Sequence, residues 1–457
     1  MRHVAVRSAL AACLWWLAPA ALAEPPSPGV AVTIYADDLA LVRDTRTLDL
    51  TGGRQKIEFK NVSAQIRPET ASLTAAGVGV IEQNFDYDLL SPAKMMEKAV
   101  GQTVTIVRVV PGTGTETREQ AEVLADNDGV VLKIGDRIEV LRDDGLPTRV
   151  IFDKVPDNLR AEPTLSMVVD AAAGGARGAT LTYLTPGLGW RADYVAVYDE
   201  ASSKIDVQGW VTLTNTSGVT YDHAQTLLVA GTPGQVGGQG RPRPNLVRAG
   251  TESGTRERLG DFYLYPLAEP TTIANQQTKQ VSFLDVHGAP ATHGYEKHIP
   301  WLATWSEPQG AETIYRFSNS AHGGLGDQLP AGVVRFYVED KAGAPQFIGE
   351  NAIENTPMGS ELAISTGEAF DIKVKSTVES RDRIDLFHWK TSMHYTVTNA
   401  TPKPVTVTLI QDGLFGDSKI VSQSLIGERL NADSVRWTVE VPANGDAAVT
   451  ATFDTKY

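Results

Sequence analysis

The sequence predicts an all-β chain: multi-domain β-sandwiches of the immunoglobulin-like kind, a small inserted barrel of the SH3-like kind, and one short helix. Three observations carry this. Short runs rich in Val, Ile, Thr, Tyr and Phe alternate apolar with polar residues, the period-2 signature of half-buried strands. Gly, Pro, Asn and Asp cut those runs at short intervals. Two strand–turn–strand stretches also recur far apart in the chain, as they would in repeated sandwiches.

The chain opens with a leader. Arg2 and Arg7 precede an apolar run from Ala9 to Ala18, and Ala21-Leu22-Ala23 fits small-x-small cleavage before Glu24, the pattern of a secretory signal peptide at 1–23. Leu10-Ala11-Ala12-Cys13 has the form of a lipoprotein box, but the apolar stretch before Cys13 is shorter than the ~7 residues of an h-region. Cleavage after Ala23 is therefore expected, placing the protein in the periplasm or outside the cell. No later stretch reaches the ~18 apolar residues of a membrane-spanning helix. The chain ends in an aromatic, Tyr457, as many outer-membrane barrels do, but aromatics make up only 7% of the residues, too few for the girdles of such barrels.

Removing 23 of 457 residues takes away Cys13, the one cysteine. No disulfide then staples the mature chain, and hydrophobic cores must hold it. With 41 Lys and Arg against 55 Asp and Glu the net charge is −14, and loss of Arg2 and Arg7 takes it to −16. That sign disfavours nucleic acid or anionic lipid as a partner.

Residues 24–100 and 156–172 read as one sandwich-like module. Its strands include VAVTIY, ALVRDTRTLDL and QKIEFKNV, with Thr51-Gly52-Gly53 as a hairpin turn. Ser91 to Val100 is the helix, with Ser91 as N-cap, Pro92 at its first position and Gly101 ending it. Five brief strands between 101 and 155 form the inserted barrel. Small residues from Ala171 to Ala179 mark a boundary before the region 176–457, which holds two or more sandwich units.

Within that region Leu181 to Gly231 is the most regular stretch. Trp190, Ala192, Tyr194, Ala196 and Tyr198 share one face of a strand. Trp190, Trp210 and Tyr194 are expected in the core, and Asp199 to Lys204 in a hairpin loop. Residues 232–260 follow as a solvated, disordered loop with Arg241, Arg243, Arg248, Arg256 and Arg258 against Glu252 and Glu257. Arg241, Arg243 and Arg248 are candidate contacts for an acidic partner. Further strands run to the C-terminus. Val211–Val229 matches His394–Ile410 in layout, and Leu48–Val62 matches Val439–Thr455, both as recurrent hairpins.

The stretches GLGWRADY (187–194), GWVTLTNTSG (209–218), LLVAG (227–231), LPAGVVRFY (329–337), QFIGE (346–350) and GEAFDIKV (367–374) resemble the domain-of-unknown-function 4139 family, exported bacterial proteins that include mucoidy inhibitor A-like ones. The resemblance covers most of the chain beyond about residue 176. It implies an exported protein and offers no catalytic residue.

The residues themselves point to no catalytic, cofactor or metal site. Asp193 and Asp199 share parity but lie roughly 20 Å apart along a strand, whereas a glycan-cleaving acid–base pair needs about 5–9.5 Å. An Asp193–Arg191 ion pair is expected instead. His287, His293 and His298 follow no one-face metal spacing, and the glycines beside the first two place them in loops. There is no Gly-x-Ser-x-Gly elbow and no Gly-Lys pair for a phosphate loop. Trp301 and Trp305, on one face of an extended strand, are expected to pack, or else to offer a stacking platform to a partner. The expectation is a non-enzymatic envelope protein that binds or scaffolds an envelope protein or polysaccharide. The alternative is a hydrolase of cell-envelope glycan or peptide, assembled from distant strands.

Overall fold

A computed structural model describes residues 29–36, 38–86, 88–110, 112–127, 129–141, 148–156, 159–231, 246–248 (backbone only), 251–252, 256–340 and 342–456. The expected leader, Cys13, Arg241 and Arg243 lie outside the described residues, and Arg248 is described as backbone alone. The protein is almost all β, built from several sheets with one α-helix. No helix among the described residues is long and apolar enough to cross a membrane.

The organising stretch folds as its alternation predicts. Strands Leu188–Asp199 and Lys204–Asn215 pair antiparallel from Leu188↔Asn215 to Asp199↔Lys204. Trp190, Ala192, Tyr194, Ala196 and Tyr198 all face the core, none more than 5% exposed. Trp210 does not join them. It stands half-buried opposite Asp193, because its parity puts it on the face away from buried Val211 and Leu213.

This hairpin belongs to one half of the first sandwich, with strands Gly332–Glu339, Pro345–Ile353 and the first part of Gln277–Ile299. The facing sheet takes its strands from both sides of the boundary expected at 171–179. Leu39–Leu50 pairs with Gly175–Thr185 over eleven residues, and Gly29–Tyr35 runs parallel to Tyr221–Ala230. One continuous core, including Ile34, Phe59, Leu165, Tyr183, Leu213 and Phe336, spans residues on both sides. The small residues at 171–179 therefore mark a tight passage between sheets, where a side chain on Gly174 would come within 3.2 Å of the Leu50 carbonyl.

Four of the turns read as hairpins prove to be arches, one of them between Val435–Val441 and Gly445–Lys456, which pair with other strands and not with each other. Leu39–Leu50 and Gly53–Lys60 are joined at Thr51-Gly52 but lie in different sheets. Lys204–Asn215 and Tyr221–Ala230 also enter different sheets. His388–Asn399 pairs with Glu361–Arg383 and Gly445–Lys456, whereas Val405–Gln411 pairs with Gln277–Ile299 and Val435–Val441. Local alternation is the same whether the chain turns back beside itself or crosses to the opposite sheet, so the pattern alone cannot separate the two.

The crossing creates a problem that two asparagines solve. Backbone groups in a buried arch have no ladder partner and need one. Asn215, fully buried, donates from Nδ2 to Val219 O (2.8 Å) and Ile273 O (2.9 Å), and its Oδ1 accepts from Ser217 N (3.0 Å) and Oγ (2.7 Å). Asn399 donates to Lys403 O (2.8 Å) and Pro442 O (2.9 Å), and accepts from Thr401 N (2.9 Å) and Oγ1 (2.7 Å). Each amide thus uses its two donors and two acceptor sites in full. The first sequence echo is a structural repeat centred on these residues.

The second sandwich has its own core of Ile372, Met393, Tyr395, Val407, Leu409, Trp437 and Phe453 among others. Two strands of 23 residues, Gln277–Ile299 and Glu361–Arg383, run from the first core into the second. The loop placement of His287 and His293 is thereby overturned. Gly288 adopts φ +67 within the strand, and Asp206 holds both the Gly288 N–H (2.7 Å) and His287 Nδ1 (2.9 Å). The glycine makes an irregularity in the pairing while the strand continues.

The insert is structurally separate. Strands Thr103–Val109, Glu116–Asp126, Val130–Ile134, Arg137–Leu141 and Thr148–Ile151 pair only with one another. Their core, around Val104, Ile106, Val123 and Leu132, is capped by Met96 of the helix Pro92–Lys98 and by Ala99 at its C-terminal end. Ser91 caps that helix as expected, accepting from Lys94 N at 3.1 Å. The sheet stays open between Arg137–Leu141 and Thr148–Ile151. At the neck, Leu90 N donates to Arg160 O and Arg160 N to Asp88 O.

The stretch expected as a loop at 232–260 holds a short strand, Leu246–Arg248, that pairs with Glu361–Arg383, and its loop character ends before residue 260. Arg256 pairs with Asp327 through two nitrogens and lies 4.2 Å from the Tyr265 ring centre, and Arg258–Leu259 pairs with Phe262–Pro266. Two of the five arginines are thus committed to aromatic and carboxylate partners of the fold, since Arg258 also lies over Tyr263.

Candidate binding cleft

Where Gln277–Ile299 passes from one core to the other, a cleft of about 370 Å³ opens, lined by Glu200, His293, Gly294, Tyr295 and the turn 401–406. Each wall has a local cause. Glu200 is carried by the tight 199–203 turn, in which the Asp199 carboxylate accepts from Ala201 N (2.9 Å) and Ser202 Oγ (2.5 Å). The facing wall is the Asn399 arch, whose side-chain amide fixes Thr401 and Lys403. Pro402 and Pro404 stiffen it further.

The floor is aromatic. His293 stacks on Tyr315 (centroids 5.0 Å, 21° between planes), and Tyr315 stacks on Phe336 (5.1 Å, 24°), so a column of rings descends into the first core. Tyr295 meets His293 edge-on at 5.1 Å. Burial holds the His293 pKa below the ordinary histidine value although part of the residue is open to solvent. Burial, with Glu200 and Asp371 nearby, holds the Tyr295 hydroxyl in its protonated form. Lys403 Nζ sits 3.0 Å from Glu200 Oε1 across the mouth, with both side chains largely exposed. A bridge of that kind contributes little to stability, ~0–1 kcal/mol, and opens readily.

The other charged groups are structural in character. Arg191 Nε reaches Asp193 Oδ2 at 3.2 Å, as expected, and Arg335 and Thr212 add bonds of 2.9 and 2.7 Å. Burial would raise the Asp193 pKa, but the bonds from Thr212, Arg335 and Arg191 outweigh it and hold it below the usual carboxylate value. His298 lies between Glu296 (3.1 Å) and Asp412 (2.6 Å), with Arg316 on the far side of Glu296. The Glu296 bond, aided by Asp412 and opposed by burial, lifts the His298 pKa to about 9. Both ring nitrogens are committed, so this imidazolium cannot serve as a general base at neutral pH. The three histidines of this strand therefore go to three different environments.

Trp301 and Trp305 do not share a strand face. Residues 300–308 form a loop between strands, because Ile299 ends its ladder at Gln411 and the chain turns away. Trp301 stacks on Phe415 at 5.6 Å, while Trp305 packs against the second core with the Lys297 ammonium 5.5 Å from its ring. No common platform results. Another cleft, about 420 Å³, lies on the insert between Met95, Lys98, Phe152 and Lys154.

The inter-sandwich cleft was invisible in the sequence because its walls are separated by some two hundred residues. The one local signal was the alternation His293-Gly294-Tyr295, two rings on one face with no side chain between them. No protein family and no curated protein matches the chain.

Proposed function

We propose that this chain is an exported, non-enzymatic binding protein of the cell envelope, related to the domain-of-unknown-function 4139 proteins, and that its ligand occupies the cleft between the two sandwiches. The observation that supports this is the combination found there. Ring faces and hydrogen-bonding groups converge at a junction between sandwiches, a common place for ligand sites, without an acid–base pair beside them. A hydrolytic general acid needs a raised carboxyl pKa. Every carboxylate with a resolved shift among the described residues is lowered instead: Asp88, Asp193, Asp199, Asp206, Glu296 and Asp340.

Cross-linking in intact cells, followed by identification of what is joined to the cleft, tests the binding role. Turnover of peptidoglycan or polysaccharide that one carboxylate substitution abolishes would replace it with the hydrolase alternative. Export is tested by mass spectrometry of the mature N-terminus. A chain beginning at Glu24 supports cleavage after Ala23, and an acylated Cys13 overturns it.

A further inference from the structure

Resting on that reading of the cleft, we infer that its occupant is a neutral saccharide of one or two rings, packed on His293 and Tyr295 with its hydroxyls toward Glu200 and Lys403. Four features converge on this chemistry. Among the described residues that line the cleft the charged ones are Glu200 and Lys403, which neutralise each other at 3.0 Å, so an ionic ligand gains no net attraction there. The two rings meet at 67°, forming a corner with a floor and a wall against which the C–H face of a sugar can lie. The ring faces carry negative charge density that attracts polarised C–H groups.

Hydrogen-bonding capacity is also available. Neither the His293 imidazole nor the Tyr295 hydroxyl bonds to a described residue, and a neutral imidazole with a phenol offers donors and acceptors to hydroxyl groups of either sense. A volume near 370 Å³ lies at the small end of ligand sites, ~300–1,000 Å³, which limits the occupant to a short unit or a chain end.

A peptide fits less well for a reason of topology. Extended peptides are held chiefly by main-chain bonds to a free sheet edge. At Tyr295 both edges of the strand are taken, by Thr313 on one side and Val407 on the other. The carbonyl of Lys403, on the opposite wall, is taken by Asn399. Recognition must come from side chains, as it does for sugars.

Calorimetric titration of the mature chain with maltose, cellobiose, mannobiose and di-N-acetylchitobiose, beside a digalacturonate and a proline-containing hexapeptide, tests this. At least one neutral disaccharide is expected to bind, and His293→Ala and Tyr295→Ala should each weaken it about tenfold or more. His293→Phe keeps the stack on Tyr315 but removes the ring nitrogens, and should weaken binding while leaving the circular dichroism unchanged. Pro402→Trp, at an exposed wall position, blocks the mouth independently of the floor. No binding by any neutral sugar at about 10 mM, a free energy below ~3 kcal/mol, overturns the saccharide. If the hexapeptide or digalacturonate binds while the neutral sugars do not, and Pro402→Trp prevents it, the neutral saccharide fails while the cleft stands. Sugar binding indifferent to all four variants overturns the cleft itself.

Discussion

Asn215 and Asn399 make the same four hydrogen bonds in two different sandwiches: each donates to the carbonyl four residues on and to one from a neighbouring segment, and each accepts from the amide and hydroxyl two residues on. The Asn-x-Ser/Thr spacing follows from this, since the hydroxyl at the third position is the one that reaches the amide oxygen. Asn215 and Asn399 are 0% and 2% exposed. Substitution to Ala takes the side-chain partner from the Ile273 or Pro442 carbonyl and from the amide two residues on, while the hydroxyl at the third position still reaches the carbonyl four residues on. Each change is expected to cost about 2–4 kcal/mol, read as a loss of midpoint in urea unfolding. A cost under ~0.5 kcal/mol at either site would mean the arches are held by packing alone.

Gly187 and Gly189 stand two residues apart in GLGWRADY and should respond differently. Gly187 has φ +87, and a Cβ there would sit 2.7 Å from Ser217 Cα. Gly187→Ala therefore combines strain with a backbone clash beside the Asn215 arch, and a loss of more than ~2 kcal/mol is expected. At Gly189 the nearest atom to an added Cβ is 3.8 Å away, so Gly189→Ala should cost ~1 kcal/mol or less. Equal losses in thermal unfolding would contradict this difference.

His298 should give stability an alkaline limit. Its folded pKa, about 9, lies above the ordinary histidine value of about 6.5. The contribution is therefore fully present below about pH 6.5 and is lost as pH rises through 9. Glu296, whose pKa is held below the usual carboxylate value, stays ionised throughout that window and ends facing a neutral ring. The melting temperature of the native chain should fall between pH 7 and 10 more steeply than that of His298→Gln. Parallel curves for the two proteins would show that the charge contributes nothing.

The insert should be removable. Its strands pair among themselves, its core is its own, and Leu90 and Arg160 already meet at its neck. Replacing residues 91–158 with a short Gly/Ser linker should leave the β-sheet circular dichroism of the remainder intact, with a melting temperature within a few degrees of the parent. Aggregation or loss of the cooperative transition would show that the two sandwiches depend on it.

Much of this architecture was legible beforehand. Trp190 to Tyr198 advertise their buried face by alternation, Ser91-Pro92 announces the helix start, and the closely spaced turns of 101–155 reveal a compact separate unit. These are local properties, set by the spacing of side chains within a few residues. Arches were misread as hairpins for the same reason: the turn chemistry at Thr51-Gly52 says that the chain reverses, and is silent on which sheet it joins next. Trp301 and Trp305 show a similar limit, since equal parity places two rings together only if the backbone between them is extended.

What the amino-acid order by itself determined is the β character of the chain and the pairing of its central hairpin, because period and turn chemistry act over distances a short segment can span. The tertiary structure alone decided that residues before 172 and after 176 share one core, and that two strands continue from that core into a second. It also decided that Glu200, His293 and Lys403 meet around one cleft. Those outcomes depend on which surfaces exclude water together, a property of the whole packed chain that no single stretch carries.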